Sequence, residues 1–157
     1  MERRTGVASR EAIAHLTGLE MLQAIVSGAL PAPPIGATMG FRLVEVEPGR
    51  AVFEGAAGPH LLNPLGSVHG GVALTLIDSA AGCAVHTELP AGMGYTTVET
   101  KVNFTRPIPP DGSPVRCEGR VVTRGRQIAT AEARLLSAEG KVLAHGTSTL
   151  ILLPPRD

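Results

Sequence analysis

Apolar and polar positions alternate along the C-terminal part of the chain with the period of two that is typical of half-buried strands. Four segments show this pattern: residues 95–106, 114–124, 127–137 and 141–153. The last three segments are separated only by residues 125–126, which include Gly125, and by residues 138–140, which end in a Glu-Gly pair; connections this short are typical of tight turns. The pattern therefore predicts four strands, of which the last three form an antiparallel meander.

Two more strands and a helix are predicted in the first part of the chain. Residues 37–47 and 50–56 have strand character, and the Pro-Gly turn between them predicts a hairpin. Residues 10–28 carry apolar side chains at spacings of three and four, which predicts an amphipathic helix, in one piece or divided at Gly18. Three prolines then predict an extended connector: Pro31, Pro33 and Pro34.

The most apolar part of the chain lies within residues 59–88. A turn-rich loop leads to a His-Gly-Gly triplet at 69–71, and the apolar run 72–85 is then broken mainly by three polar residues: Thr75, Asp78 and Ser79. A helix that is apolar on all sides is normally buried on every side. The order helix, hairpin, buried helix and meander therefore predicts an α+β fold, in which this central helix packs against a curved antiparallel sheet.

The N-terminus of this helix and Asp78 within it are candidates for a functional site. Gly70 and Gly71 leave backbone N–H groups free at the helix start, where these groups and the helix dipole favour an anion or a developing oxyanion. Asp78 is nine positions after His69, so the two side chains point to opposite sides of the helix, about 13 Å apart along it. One chain does not readily bring both into one site, whereas an isologous dimer with paired helices can. The spacing therefore favours a site that two subunits share.

Composition narrows the function classes. The 157 residues fit one domain, and 14 Lys and Arg against 14 Asp and Glu give no indication of a nucleic-acid or acidic-membrane partner. With no Trp, one Tyr and three Phe, base-stacking surfaces are not expected. The two cysteines and five histidines lack metal-ligand spacing, so neither a metal nor a disulfide framework is predicted. We recognise no signal peptide and no apolar run long enough to span a membrane, so a cytoplasmic protein is expected.

A set of motifs resembles a known family. The motifs are Asn63-Pro64, Gly66, Val68-His69-Gly70-Gly71 with Asp78, the strand segment 96–107, and Gly125-Arg126-Gln127 with Glu132. In this order they resemble the hotdog-fold acyl-CoA thioesterases, most of all the PaaI-like branch that is named for phenylacetate catabolism. The resemblance covers about residues 35–153, and its most specific part is the His-Gly-Gly loop with an acid nine residues after the histidine.

The resemblance implies a fold and an assembly. The implied fold is the α+β hotdog fold, a curved antiparallel sheet wrapped around a central apolar helix, here with an additional N-terminal helix. It divides the chain into an N-terminal helical extension with a proline-rich connector at 1–34 and a single thioesterase domain at 35–157. Members of the family are dimers that often pair into tetramers, so we expect a homodimer or a dimer of dimers.

The resemblance also implies hydrolysis of an acyl-CoA thioester. In that family the acid that matches Asp78 acts as general base on water or as nucleophile on the thioester carbonyl. The backbone N–H that matches Gly70 polarises the carbonyl oxygen, and the acid and the glycine come from different subunits. The residue that matches Asn63 helps to place water or substrate, and the one that matches His69 supports the loop and the thioester end. No cofactor is implied, because coenzyme A is part of the substrate.

Further residues are candidates for substrate binding. Gly71 continues the helix start, and Ser79 lies next to Asp78, where it can line an acyl pocket. Guanidinium groups near strand ends suit phosphate oxygens, so three arginines are candidates for the coenzyme A phosphates: Arg106, Arg124 and Arg126. For each of these residues a purely structural interpretation stays open, as it does for Asn63 as a turn residue.

Two other functions remain as alternatives. The first is a hotdog hydratase or dehydratase that acts on acyl thioesters, which requires an acid and a histidine side by side. The separation of His69 and Asp78 on one helix fits a thioesterase better. The second is a non-catalytic acyl-CoA-binding module, which does not need the carboxylate, and the chain has no basic recognition helix that would join such a module to DNA.

Overall fold

The structure, a computed structural model, describes residues 4–155 of the chain. Within that range it has four α-helices: α1 (Arg10–Ile13), α2 (Gly18–Ser27), α3 (Pro34–Met39) and α4 (Gly70–His86). The strands in the same range form one antiparallel sheet: β1 (Phe41–Glu47), β2 (Arg50–Ala56), β3 (Gly94–Phe104), β4 (Pro114–Arg124), β5 (Ile128–Ser137) and β6 (Val142–Leu153). None of these helices has the length and hydropathy needed to cross a membrane.

The strands follow the order β1-β2-β4-β5-β6-β3 across the sheet. The predicted hairpin forms between β1 and β2, and the predicted meander consists of β4, β5 and β6. β3 does not lie beside β4, its successor in the chain, but pairs with β6 at the outer edge, where Phe104 is opposite Ala144. β1 and β3 are therefore the edge strands, and an unpaired edge can accept a strand of another chain.

Helix α4 packs against one face of the sheet and contacts all six strands. The facing strands carry small residues, so that Gly119 lies directly against the Ala80 carbonyl group and Gly146 lies against Ile77. A side chain at Gly119 would push the helix away from the sheet, and one at Gly146 would clash with the Lys101 carbonyl oxygen on β3 and crowd Ile77. This close packing fixes the rotation of α4 about its axis and thereby the direction in which Asp78 points.

The N-terminal segments differ in part from the prediction. The predicted N-terminal helix forms as two pieces, because Thr17 starts a new helix through a capping box with Glu20. The predicted extended connector is wrong at Pro34, which opens α3 because proline fits the first position of a helix. The predicted strand 37–47 is wrong over its first four residues, since β1 begins only after Gly40 ends α3 with a left-handed backbone (φ 73°).

One face of α4 is not fully covered by the rest of the chain. Partly or fully exposed residues recur on it at spacings of three and four: Gly71, Leu74, Thr75, Asp78, Ser79, Cys83 and His86. Leu74 is 40% exposed, whereas Ile77 and Ala81 on the sheet side are fully buried. This stripe faces a cavity, solvent and, at Asp78, the edge strand β3, while the rest of the helix is buried within the chain. The cover that a second chain would give to this side stays a prediction.

Candidate active site

Asp78 lies in the middle of α4, where the partly exposed stripe of the helix borders the edge strand β3. One carboxylate oxygen, Oδ1, accepts a hydrogen bond of 3.1 Å from the hydroxyl of Thr100 on β3. The Thr100 hydroxyl oxygen also lies 2.8 Å from Oγ of Ser148 on β6, a residue that is 1% exposed. Because the single hydroxyl hydrogen of Thr100 goes to the carboxylate, Ser148 is the donor in the second bond. Two linked hydrogen bonds therefore run from the sheet to the carboxylate and fix its orientation.

Asp78 and Ser79 line a cavity of about 200 Å³. Most of its wall is apolar and comes from α2, α3, β1 and β2: Leu22, Ile25, Ile35, Phe41, Leu43 and Phe53. Ligand sites of this kind combine a mostly apolar lining with a few polar groups that fix orientation. The cavity can therefore hold the apolar part of a molecule while a polar, reacting atom stays beside the carboxylate.

Two other ionisable side chains line this cavity close to Asp78. Burial, followed by the charge of Asp78, raises the pKa of the Cys83 thiol to about 12. Burial also raises the pKa of the Tyr95 hydroxyl. Since the thiolate is the nucleophilic form of cysteine and Cys83 stays neutral near pH 7, this thiol does not qualify as the attacking group. Among residues 4–155, no three or more His, Cys, Asp or Glu side chains are grouped so that they could hold a metal ion.

His69 caps the N-terminus of α4. Its Nδ1 atom accepts a hydrogen bond of 2.9 Å from the Gly71 N–H, and its carbonyl oxygen accepts one of 3.0 Å from the Val72 N–H. With Nδ1 as acceptor, the neutral imidazole carries its proton on Nε2. The Gly70 N–H finds no acceptor within residues 4–155. Of the N–H groups predicted to be free at this helix start, the one at Gly70 therefore remains available to a ligand.

Gly70 borders a second cavity, of about 330 Å³, which His69, Phe104 and Arg106 also line. Phe104 is 60% exposed, and its ring lies so near that a Cβ atom on Gly70 would be 3.2 Å from Cε1. A side chain at position 70 would thus press on the ring. Glycine keeps the backbone of the helix start accessible beside the aromatic face.

The two cavities are separate within one chain. None of the described residues that line the cavity of Asp78 also lines the cavity of Gly70. This separation agrees with the helical spacing in the sequence, which places His69 and Asp78 on opposite sides of α4. Each chain therefore presents the carboxylate at one place and the helix start at another. The predicted sharing of one site by two subunits stays a prediction.

Asn63 shapes the loop that leads to α4. Its Oδ1 atom accepts hydrogen bonds from the N–H groups of Leu65 and Ser67, at 2.9 and 3.1 Å. Its own N–H donates to the Ser67 carbonyl oxygen at 2.7 Å. Such bonds are typical of an asparagine that forms a turn. The further role of Asn63 in placing water or substrate stays a prediction.

The three candidate arginines do not lie together in one chain. Arg106 follows β3, and its Nη1 atom donates a hydrogen bond of 3.0 Å to the carbonyl oxygen of Val142 at the start of β6. Arg124 and Arg126 lie at the turn between β4 and β5, where the start of β5 pairs with Ile151 near the end of β6. At about 3.4 Å per residue, these two places on β6 are roughly 30 Å apart. Their contacts with coenzyme A phosphates stay a prediction.

Four residues that contact or flank the candidates were not among the residues predicted from the sequence: Tyr95, Thr100, Phe104 and Ser148. Each lies on β3 or β6 at a position that faces α4. The alternation of the strand is the local signal for such positions. That signal indicates which side chains face inward but not which helix residue each one meets.

The chain is similar in sequence to known proteins. The family described as the Thioesterase superfamily matches residues 65–144 of the chain. The matched range contains the start of α4, Asp78 and β3. A candidate esterase of Saccharolobus solfataricus is 30% identical over 112 residues, which cover 71% of this chain and 78% of the relative.

Solved structures share the architecture over most of the chain. A candidate thioesterase of Ralstonia eutropha JMP134, described as phenylacetic acid degradation-related, has a TM-score of 0.74 at 26% identity and covers 83% of this chain and 98% of its own. A mutant of the phenylacetic acid degradation protein PaaI from Thermus thermophilus has a TM-score of 0.68 at 29% identity. It covers 75% of this chain and 97% of its own.

Proposed function

This chain belongs to the thioesterase superfamily, and on that premise we propose that it hydrolyses an acyl-CoA thioester to a free acid and coenzyme A. The resemblance to the PaaI-like hotdog thioesterases, and with it the predicted fold, is confirmed by the family match and by the similar solved structures. The family supports thioester hydrolysis in general. The observation that carries the narrower proposal is a carboxylate, Asp78, that is held by hydrogen bonds at the edge of an apolar cavity.

Asp78 has two possible chemical roles in this reaction. As a general base it takes a proton from water while the water oxygen attacks the thioester carbonyl carbon. As a nucleophile it attacks that carbon itself, and water then hydrolyses the acyl–carboxylate anhydride. In both routes the carbon–sulfur bond breaks and coenzyme A leaves as its thiolate, which is then protonated. The hydrogen bond from Thr100 orients the carboxylate for either attack.

The Gly70 N–H supplies the second element of the proposed reaction. Attack on a thioester builds negative charge on the carbonyl oxygen, and a fixed donor aimed at that oxygen is worth about 3–4 kcal/mol. The Gly70 N–H is the donor at the α4 start that has no acceptor among residues 4–155. The helix dipole adds to its effect.

We expect the carboxylate and the N–H of one reaction centre to come from two subunits. Their separate cavities in one chain support this arrangement. Large apolar side chains are exposed on α4 and β3, the elements that carry Asp78 and Thr100: Leu74 on α4 is 40% exposed, Val98 on the edge strand β3 is 52%, and Phe104, which lines the cavity of Gly70, is 60%. An isologous dimer that covers this surface would bring the helix start of each chain toward Asp78 of the other.

Release of thiol from a panel of acyl-CoAs tests the proposed function. We expect the wild-type protein to release free coenzyme A, detected with a thiol-reactive chromogen, together with an equal amount of free acid. The control is 3-hydroxyacyl-CoA with detection of the unsaturated product. Dehydration without release of thiol would favour a hydratase, and binding without any turnover would favour a non-catalytic module.

Thr100→Val is expected to lower kcat about tenfold with little change in KM, because it removes the hydrogen bond that orients the carboxylate. Hydrogen bonds to charged groups contribute about 1.5–3 kcal/mol. Thr100→Ser keeps the hydroxyl and is the matched control, which we expect to retain most of the wild-type kcat. Steady-state kinetics of thiol release measures both variants. Equal losses in the two would contradict an orienting role of the hydroxyl.

Complementation between two inactive chains tests the shared site. One chain lacks the Asp78 carboxylate and the other lacks the Gly70 N–H; the two are co-expressed and purified through two different affinity tags. In a heterodimer one of the two sites then combines both intact parts, so about half of the wild-type kcat per dimer is expected. If each site lies within one chain, neither chain has an intact site and the heterodimer stays inactive.

A further inference from the structure

The cavity beside Asp78 is bounded on one side by α4 and on the other by the N-terminal part of the chain. Leu22 and Ile25 are three positions apart on α2, so they share one face of that helix, and Ile35 on α3 continues the wall. Leu22 is 5% exposed and Ile25 is 8% exposed. The N-terminal extension therefore contributes buried apolar side chains directly to the cavity that holds the proposed catalytic carboxylate.

Hydrogen bonds hold this wall in place at both ends. The Gly6 N–H donates to the Ala32 carbonyl oxygen at 2.9 Å, and the Ala32 N–H donates to the Arg4 carbonyl oxygen at 2.8 Å. At the start of α2, the Gly18 N–H donates to the Leu89 carbonyl oxygen, just after α4, at 3.0 Å. The first two bonds join the N-terminal residues to the segment between α2 and α3, and the third ties the start of α2 to the segment just after α4, so a ligand in the cavity meets a defined surface.

The volume of the cavity limits the size of an apolar group next to Asp78. An apolar cavity of ~150 Å³ holds one benzene molecule, which corresponds to about 25 Å³ per carbon atom. At the same packing, the 200 Å³ beside Asp78 takes roughly eight carbon atoms. Leu22 and Ile25 close the cavity on the side of α2, so a longer straight chain that extends in this direction would have to displace one of them.

We propose that α2 and α3 form the end wall of an acyl-binding subsite and restrict the substrate to short or medium acyl groups, or small aryl-acyl groups, of about eight carbons. The inference rests on the proposed function, because a thioester carbonyl held at Asp78 directs its acyl group into this cavity. The wall residues precede the range 65–144 that matches the family. The limit on acyl size therefore comes from a part of the chain outside the matched range.

Two substitutions change the wall in opposite directions. Leu22→Ala enlarges the cavity, and Ile25→Phe fills part of it. Val26→Ala is the matched control, since Val26 is on the same helix and packs against the core but does not line the cavity. For each full-length protein, kcat/KM is measured with straight-chain substrates from acetyl-CoA to hexadecanoyl-CoA.

The ratio of kcat/KM for dodecanoyl-CoA to kcat/KM for butanoyl-CoA reports the position of the wall. In the wild type we expect kcat/KM to fall for chains longer than octanoyl. Leu22→Ala is expected to raise the ratio about tenfold and Ile25→Phe to lower it by a similar factor, which is the effect of one methylene in an apolar pocket. Val26→Ala is expected to leave it unchanged. An unchanged ratio in both wall variants, or an equal shift in the control, overturns the inference.

Failure of hydrolysis itself is a distinguishable result. If the wild type cleaves none of the acyl-CoAs, these compounds become stable ligands, and titration calorimetry gives their dissociation constants for the same four proteins. Even in that case, the wall is supported if the acyl chain length that binds most tightly is longer in Leu22→Ala, and shorter in Ile25→Phe, than in the wild type. Binding that does not depend on chain length overturns it.

Discussion

Asp78→Asn is expected to lower kcat for thiol release about 10³-fold while KM changes little. Asparagine keeps the size of the side chain, and its amide oxygen can still accept the hydrogen bond from Thr100. It can neither take a proton from water nor attack a carbonyl carbon as a carboxylate does. Steady-state and single-turnover kinetics with the best acyl-CoA of the panel measure the loss, and thermal unfolding checks that the variant is folded.

Cys83→Ala is the control for Asp78→Asn. Cys83 lines the same cavity, but burial raises the pKa of its thiol to about 12, so it is neutral under assay conditions. We expect this variant to keep kcat within a few-fold of the wild type, because the neutral thiol supplies only packing. Loss of activity in Cys83→Ala together with near-normal activity in Asp78→Asn would place the attacking group on the cysteine.

Gly70→Pro is expected to lower kcat about 10²- to 10³-fold, because it deletes the single N–H group proposed to bind the oxyanion. Gly70 is the first residue of α4, a position at which proline is favoured in helices. The backbone of His69, with φ −62° and ψ 135°, has the extended conformation that a residue before proline requires. The substitution therefore removes the donor while the helix start keeps its conformation.

Gly70→Ala is the matched control for the proline variant. Both substitutions place a Cβ atom beside the ring of Phe104, but only alanine keeps the N–H group. The ratio of the two kcat values therefore isolates the contribution of the hydrogen bond from that of the crowded ring. We expect alanine to be about 100-fold more active than proline. Equal activities would show that the N–H does not stabilise the transition state.

Local patterns in the sequence predicted most of the elements. Strand alternation predicted β3 to β6, and the apolar run after the His-Gly-Gly triplet predicted α4, because both periodicities depend on residues that are close in the chain. The error at residues 37–40 has a local cause as well. Short segments rich in proline and glycine suit a turn, a strand or one turn of helix, and here Pro34 and Gly40 start and end a helix.

The spacing of His69 and Asp78 also determined that one chain separates these two residues. Both are on α4, so their relation follows from the helical repeat alone. The same holds for the cap of the helix, since the bond from Gly71 to His69 joins residues two positions apart. The types and the order of the candidate residues are thus properties of the sequence itself.

Contacts between distant parts of the chain decided the surroundings of Asp78. Thr100 reaches the carboxylate, and Ser148 reaches Thr100, because β3 pairs with β6 at the edge of the sheet. The cavity exists because α2 and α3 cover the other side. Neither the pairing of β3 with β6 nor the packing of α2 and α3 produces a periodic pattern in the sequence. Each depends on which distant elements pack together and on the distance between them. The sequence alone determined which residue is the acid, and only the packed structure determined what holds it and how large a group fits beside it.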